Sequence, residues 1–448
     1  MRLPARPAAT NPARDHQRSD TSDEDEPAPP STFGIRAGIL IPGRGEPLRD
    51  GTVIVKDGTI DWVGRHADLP VSYFSVPFSS VPVVMPGMWD AHTHFVGAHV
   101  AFGLTESTRM FLPGSGALAG AVIVDDLRAT LEAGFTSVRE LGGVAGYVWP
   151  AVQSGHIVGP NVYSALSVLS ITGGHGDEHN VPLNTVLEAC ACGADASMLC
   201  DGVEGCTRAV RQVIRRGARV IKICSTGGVL SLNDQPEDSQ FSPAELAAIV
   251  EEAGRSGRAV ASHAIGKNGI IAALNAGVKS IEHGMYLDEE VATLMKEKGA
   301  IFVPTRHIVE SLAAGEDDIP APSREKLRRM TELSRSSVKL AVKLGVKIAL
   351  GTDTLSSDRK HVLAHGKNAM ELHHAVAAGM TTLQAIEMAT ATPPETLGGQ
   401  APKSGQLKAG YDADIIAIAE NPLDDIDVLV KQSNITHVWK GGKLYKSP

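Results

Sequence analysis

Between Val81 and Thr390, short apolar runs alternate with helical stretches through eight repeats, a pattern that calls for a parallel α/β architecture. The strand candidates are Val81–His94, Phe135–Leu141, Val162–Leu169, Val220–Cys224, Ala259–His263, Ser280–His283, Ile301–Thr305 and Ile348–Asp353. Helical periodicity falls over Thr207–Arg216, Pro243–Ser256, Lys267–Ala276, Asp288–Lys298, Arg324–Leu344, Val362–Ala378 and Thr382–Thr390. Eight such repeats predict a (β/α)8 TIM barrel, which collects its active site at the C-terminal ends of its strands.

The flanks read differently. Residues 33–84 hold short alternating segments separated by turn pairs such as Asp57-Gly58, and similar segments return at Ala413–Ile418 and Ile435–Leu444. Neither half is long enough for a stable sheet of its own. Both ends are therefore expected to join in one small β-sandwich domain, 33–84 with 405–448, beside a barrel over 85–404. Residues 1–32 are rich in Pro, Arg, Asp and Glu and nearly free of large apolar side chains, so they predict a disordered tail.

The tail has no apolar core of a secretory signal, and no apolar run nears the ~18 residues of a membrane span, so a cytoplasmic protein is expected. With 42 basic against 51 acidic residues and no long basic run, nucleic acid is excluded as a partner. The five cysteines all lie between Cys190 and Cys224, an odd number that predicts free thiols. The spacing of Cys190, Cys192, Cys200 and Cys206 matches no familiar zinc module.

The chemistry sits at the strand ends. In Met85-Pro86-Gly87-Met88-Trp89-Asp90-Ala91-His92-Thr93-His94-Phe95 the first strand ends in His-x-His. Side chains alternate along a strand, so His92 and His94 share a face roughly 6–7 Å apart. Strand four, Val220-Ile221-Lys222-Ile223-Cys224, places a lysine among apolar residues; strand five ends at His263, strand six at His283 and strand eight at Asp353. Four histidines, a lysine and an aspartate converging on one opening make chemical sense around metal. If CO2 adds to the neutral Lys222 amine, the resulting carbamate can bridge two divalent ions, zinc being the expected pair. His92, His94 and Asp353 would hold one, His263 and His283 the other, and N6-carboxylated Lys222 both. Asp353 is then placed to take a proton from a bridging hydroxide and pass it to a leaving amine.

This pattern resembles the metal-dependent amidohydrolase superfamily over about residues 34–448, including the closing signature Gly405-Gln406-Leu407-Lys408-Ala409-Gly410-Tyr411-Asp412-Ala413-Asp414. The family's carbamate lysine maps to Lys222, its histidines to His92, His94, His263 and His283, and its aspartate to Asp353. The stretches MPGMWDAHTHF, VGPNVYS, GGHGD, QFSPAEL, LGTDT and THVWKGGKL are similar to the prolidase-like branch of dipeptidases, and most of all to the ochratoxinase group of fungal amidases. The resemblance implies a binuclear hydrolase of small amides, N-acyl amino acids or dipeptides, ochratoxin A among them, working as a homo-oligomer. Alternatives are an Xaa-Pro dipeptidase, a mononuclear deaminase and a metal-free scaffold. The deaminase would want a glutamate soon after His263, where His263-Ala264-Ile265-Gly266 has none; the scaffold would have lost ligands that are all present.

Three further residues carry expectations about substrate. His175, in Gly173-Gly174-His175-Gly176-Asp177 after strand three, is expected to hydrogen-bond the scissile carbonyl as charge develops on it. Arg306, after strand seven, is expected to clamp a free α-carboxylate. Ile265 stands where branch relatives have a second histidine, which makes that wall apolar and favours bulky or aromatic groups.

Overall fold

The structure, a computed structural model, describes residues 32–98, 114–192, 197–315 and 319–448. The tail expected over 1–32 lies outside these residues apart from Thr32. Strands β1 (Thr32–Leu40), β2 (Leu48–Lys56), β3 (Thr59–Arg65) and β4 (Phe78–Pro86) come first. Asp57 and Gly58, with φ of 48° and 80°, form a two-residue turn whose twist suits the β2–β3 hairpin.

The single strand expected over Val81–His94 is in fact two strands in two sheets. β4 pairs with β1, whereas β5 (Met88–Thr93) pairs with β6 (Phe135–Glu140). Gly87 is the joint: a Cβ there would lie 2.2 Å from Thr136 Oγ1, so only glycine lets the chain pass this close to β6. Helix α1 (Ser115–Glu132) lies between β5 and β6, and α2 (Ala145–Gln153) leads to β7 (Asn161–Ser164). The expected strand Val162–Leu169 also divides, into β7 and β8 (Val168–Ser170), because Leu166 adopts a left-handed backbone with φ of 63°.

The chain continues through α3 (Leu183–Cys192), β9 (Ser197–Leu199), α4 (Gly202–Arg216), β10 (Ile221–Cys224), α5 (Pro243–Arg255) and β11 (Val260–Ala264). After these come α6 (Lys267–Ala276), β12 (Ser280–His283), α7 (Glu289–Lys298), β13 (Ile301–Val303), α8 (Arg306–Ala314) and α9 (Ala321–Leu344). Strands β10 to β13 pair in parallel and are buried along their whole length, so the polar side chains they carry, Lys222, His263, Glu282 and His283 among them, are held inside the protein. Residues 347–354 act as the eighth strand. Phe302 of β13 donates to Lys347 O and accepts from Ala349 N, while Ala91 of β5 donates to Leu350 O and Asp353 donates to His92 O, all at 2.7–2.9 Å. The hydrogen bonds thus return to the first strand of the set.

The helix expected over Val362–Ala378 shortens to α10 (Met370–Ala377), followed by α11 (Thr382–Ala389). Side chains take over the backbone before it: Asn368 Oδ1 accepts Gly366 N at 2.9 Å and Asp358 Oδ1 accepts Lys360 N at 2.9 Å. The closing strands β14 (Ile415–Ile418), β15 (Ile435–Lys440) and β16 (Lys443–Lys446) join those of the first segment. The order is β16-β15-β14-β4-β1-β2-β3, one hydrogen-bonded sheet of seven strands where two facing sheets were expected. Its apolar face, Ile35, Val53, Ile60, Val84, Ile415 and Trp439 among others, makes a core separate from the one between helices and parallel strands. No helix among the described residues is long and apolar enough to cross a membrane. All five cysteines are free thiols, and only Cys192 is exposed.

Candidate active site

The strand ends bring the predicted residues into one space. His92, His94, His175, Lys222, His263, His283 and Asp353 all line a single cavity of about 610 Å³. Ring centroids lie 5.3 Å apart for His92 and His94, 5.1 Å for His92 and His283, and 4.6 Å for His263 and His283. Asp353 Oδ1 is 3.1 Å from His94 Nε2 and 3.6 Å from His92 Nε2, and Lys222 Nζ is 3.4 Å from His92 Nε2. His283 and Asp353 reach these positions with φ of 70° and 60°, a left-handed backbone that is costly for non-glycine residues and concentrates at functional sites.

Each ring has one nitrogen committed elsewhere. His92 Nδ1 bonds Glu282 Oε2 at 2.9 Å, and His94 Nδ1 donates to Gly142 O at 2.8 Å. His283 Nδ1 meets Thr305 Oγ1 at 2.8 Å, and His263 Nε2 donates to Gly227 O at 3.0 Å. That is how metal-ligating imidazoles are oriented, with the second nitrogen fixed by an outer partner. Burial holds His92, His263 and His283 well below the usual histidine range, so the rings are neutral and their free nitrogens keep lone pairs. One donor atom each from His92, His283 and Asp353 lies within 4.8 Å of the others. For Asp353, burial raises the carboxyl but His92, the His94 hydrogen bond and Lys222 outweigh it, holding it below the ordinary range and ionised. Neutral imidazoles facing a carboxylate fit a divalent cation. Burial also lowers Lys222, against the opposing pull of Glu282 and Asp353.

The sequence reading missed the shell behind these side chains. Asp90 accepts the backbone N–H of His92 at 3.0 Å and of Thr352 at 3.1 Å, and Asn368 Nδ2 at 2.7 Å, tying the first and eighth strands together. Burial pushes Asp90 up to about 6 despite these bonds. Glu282 accepts from His92 and from Arg139, whose Nη2 is 2.8 Å away and which is itself fully buried. Both acids stood beside quoted histidines in the sequence, the one available signal. Glu282→Gln leaves Arg139 buried without its counter-charge and removes the anion on His92. The expected results are a stability loss of about 3 kcal/mol and a metal affinity lower by about 10- to 100-fold. Thermal unfolding and chelator competition measure the two; an unchanged affinity would mean that His92 needs no anchor.

His175 stacks on His263 with ring centroids 4.1 Å apart, and its Nδ1 lies 2.9 Å from Ser231 Oγ. Burial lowers its ring to about 4, so it too is uncharged. Beside these rings is an apolar lobe lined by Val229, Ile265, Met285, Ile308, Val309 and Leu312. Ile265 is therefore part of the cavity wall. Arg306 is not, and the carboxylate clamp expected of it is corrected. Thr305, with φ of 49°, turns the chain into α8, so Arg306 is buried away from the cavity and paired with Glu310. Its backbone N–H and that of His307 donate to Glu371, whose carboxyl burial pushes up to about 8.

Comparison with known proteins agrees with this geometry. The model of the amidohydrolase family matches residues 83–445. The ochratoxinase of Aspergillus niger is 46% identical over 426 residues, covering 92% of this chain and 86% of that protein. The A. niger ochratoxinase crystal structure superposes with a TM-score of 0.86 at 44% identity, over 93% of this chain and 96% of that one. A Xaa-Pro dipeptidase with methionine bound in its active site gives 0.79 at 30% identity, over 93% and 100%. Such relatives carry a TIM barrel with an additional domain, in line with the parallel strands and the separate sheet described above. From the matched length and these relatives, the chain belongs to the amidohydrolase family and is a hydrolase of amide carbon–nitrogen bonds.

Proposed function

We propose that this enzyme hydrolyses the amide bond of N-acyl amino acids or dipeptides that carry a bulky apolar or aromatic group, ochratoxin A among them, with two divalent metal ions as cofactors. The observation that carries this reading is the meeting of a donor cluster with an apolar lobe in one cavity: His263, His283 and Asp353 line both. His92, His94 and Asp353 would hold one ion and His263 with His283 the other, zinc being the natural choice for such a set, with Lys222 as its carbamate contributing to both. Bound there, the ions supply Lewis acidity for the scissile carbonyl and water acidified to neutral pH.

The chain's own residues do the rest. Asp353, held ionised at the cavity floor, takes a proton from the attacking water on a carboxylate oxygen. It then gives that proton to the lone pair of the leaving nitrogen, which departs as a neutral amine instead of a strongly basic amide anion. The lobe excludes water from one side of the substrate and takes its apolar group, worth about 1.5–3 kcal/mol for a fully buried side chain. The similarity to ochratoxinase and to Xaa-Pro dipeptidases supports small amides of this kind as substrates.

The test is a release assay over N-acyl amino acids, Xaa-Pro peptides and ochratoxin A, with metal content measured on the same protein. Acyl phenylalanines and ochratoxin A should be cleaved at least about tenfold faster than acyl glycines, a difference of ~1.4 kcal/mol that one buried side chain supplies. Ile265→Asp should erase that preference while the metal content stays the same. A wild-type enzyme that cleaves glycine and phenylalanine derivatives equally would refute the lobe's role.

A further inference from the structure

We propose that His175 accepts a hydrogen bond from the substrate's amide N–H, so that the site selects secondary amides, and that Lys326 is the residue that positions His175 for this. The proposal rests on the amide-hydrolase reading above and narrows its substrate class.

The argument follows the protons. Asp234 is buried and faces Lys326, whose Nζ is 3.5 Å from its Oδ1. As a carboxylate it can only accept, and it does so from Ser231 Oγ and from Gln240 Nε2, the latter at 3.1 Å. Gln240 Oε1 in turn accepts the backbone N–H of His175 at 3.1 Å, so both ends of that amide are assigned by their partners. A serine has one hydroxyl proton, and Ser231 spends it on Asp234. Its oxygen can then only accept from His175 Nδ1, 2.9 Å away. The ring's proton is therefore on Nδ1, and since no carboxylate lies within ion-pair distance of this ring among the described residues to hold a second proton, Nε2 carries the lone pair. His175 lines the cavity and the lobe alike, and with Nδ1 held by Ser231 the nitrogen left for a ligand is Nε2. This reverses the role expected of His175 as a donor to the scissile carbonyl.

Lys326 reaches this relay from α9. It is buried, and its ammonium donates to three carbonyls of one loop: Gly228 at 3.1 Å, Ser231 at 2.6 Å and Asp234 at 2.6 Å. The same loop presses on the ring, since a Cβ on Gly228 would lie 2.1 Å from His175 Nδ1. Through three carbonyls and one carboxylate, Lys326 thus fixes both where Ser231 stands and which atom it offers. A secondary amide, as in an N-acyl phenylalanine, presents an N–H that Nε2 can receive. A tertiary amide, as in an Xaa-Pro bond or an N-methylated analogue, has none and leaves Nε2 facing a carbon.

Two matched pairs test this on the metal-loaded protein. N-acyl-phenylalanine and its N-methyl analogue are compared by kcat/KM. N-arylsulfonyl-phenylalanine and its N-methyl analogue, which are not hydrolysed, are compared by calorimetric Kd. The wild type should prefer the N–H member of each pair by about tenfold or more, the usual consequence of leaving one buried polar group unpaired. In His175→Ala both preferences should fall to within about threefold, since no acceptor remains to be left unpaired. Lys326→Met should shrink them similarly while retaining metal, a change that lost stability alone would not produce. Should Lys326→Met fail to fold, Ser231→Ala breaks the relay without touching the lysine and should give the same collapse. Equal values within each pair for the wild type, or a preference that survives in His175→Ala, overturns the proposal. A binding preference with no turnover of any amide would instead overturn the amide-hydrolase reading and leave this one standing.

Discussion

Lys222→Ala is expected to lower kcat/KM by about 10³ or more, roughly 4 kcal/mol of transition-state stabilisation, and to release metal. The side chain stands in β10 between Ile221 and Ile223, buried, with Nζ 3.4 Å from His92 Nε2. An ammonium at that point would repel any cation held by His92 and Asp353, and burial already works against it. Addition of CO2 to the neutral amine forms a nitrogen–carbon bond, releases one proton and leaves a carbamate anion, which turns a repulsive group into a carboxylate-like one. Alanine removes the anion and leaves a gap of its shape. Formate, acetate or propionate should therefore restore part of the activity and part of the bound metal, read by elemental analysis and by initial rates. The wild-type protein should also carry the mass of one added CO2 under non-acidic conditions. If Lys222→Ala keeps two ions and near-normal turnover, the bridging carbamate is wrong.

The donor residues that line the cavity were legible in the sequence for a physical reason. A parallel strand buried on both faces has little room for a charged or polar side chain, so a lysine or histidine within one stands out, as at Lys222, His263 and His283. What surrounds them was not legible. Glu282 bonds His92 across 190 positions and Asp90 bonds Thr352 across 262, and no local periodicity records a contact of that span. Arg306 was misplaced because one left-handed residue, Thr305, decides whether the chain after β13 points into the cavity or away from it. The fused Val81–His94 strand failed similarly. Val81 to Met85 and Met88 to Ala91 share one apolar character, and the change of sheet at Gly87 appears only when Thr136 is seen against it. His175 is a subtler case: its loop was found by its glycines, but its hydrogen-bonding sense depends on Ser231 and Asp234, more than fifty residues further on.

Asp353→Asn should reduce kcat by about 10³ while changing the fold little, which makes it the cleaner probe of proton transfer. The residue sits at φ 60°, a conformation that asparagine tolerates as well as aspartate does, so the backbone should not object. Asparagine keeps the shape and one oxygen near His94 Nε2, now 3.1 Å from the carboxylate, but cannot carry a proton from water to the leaving nitrogen. Because Asp353 would also hold one of the ions, metal content is measured on the same variant; with metal retained, the loss should appear in kcat and kcat/KM together, with KM within about threefold. The pH dependence of stability supplies an independent check. Burial raises this carboxyl, but His92, the His94 hydrogen bond and Lys222 pull it below its unfolded value, so the folded protein binds its proton less tightly than the unfolded chain does. Such a group stabilises above its unfolded pKa of about 3.9 and loses that contribution as the pH falls further. The stability gap between wild type and Asp353→Asn should be full near neutrality and should close in acid. A variant that turns over within about tenfold of wild type would remove Asp353 from the proton path, because general acid–base catalysis contributes about 10²- to 10⁴-fold. A stability gap that widened in acid would mean that the carboxyl is not held ionised by its neighbours.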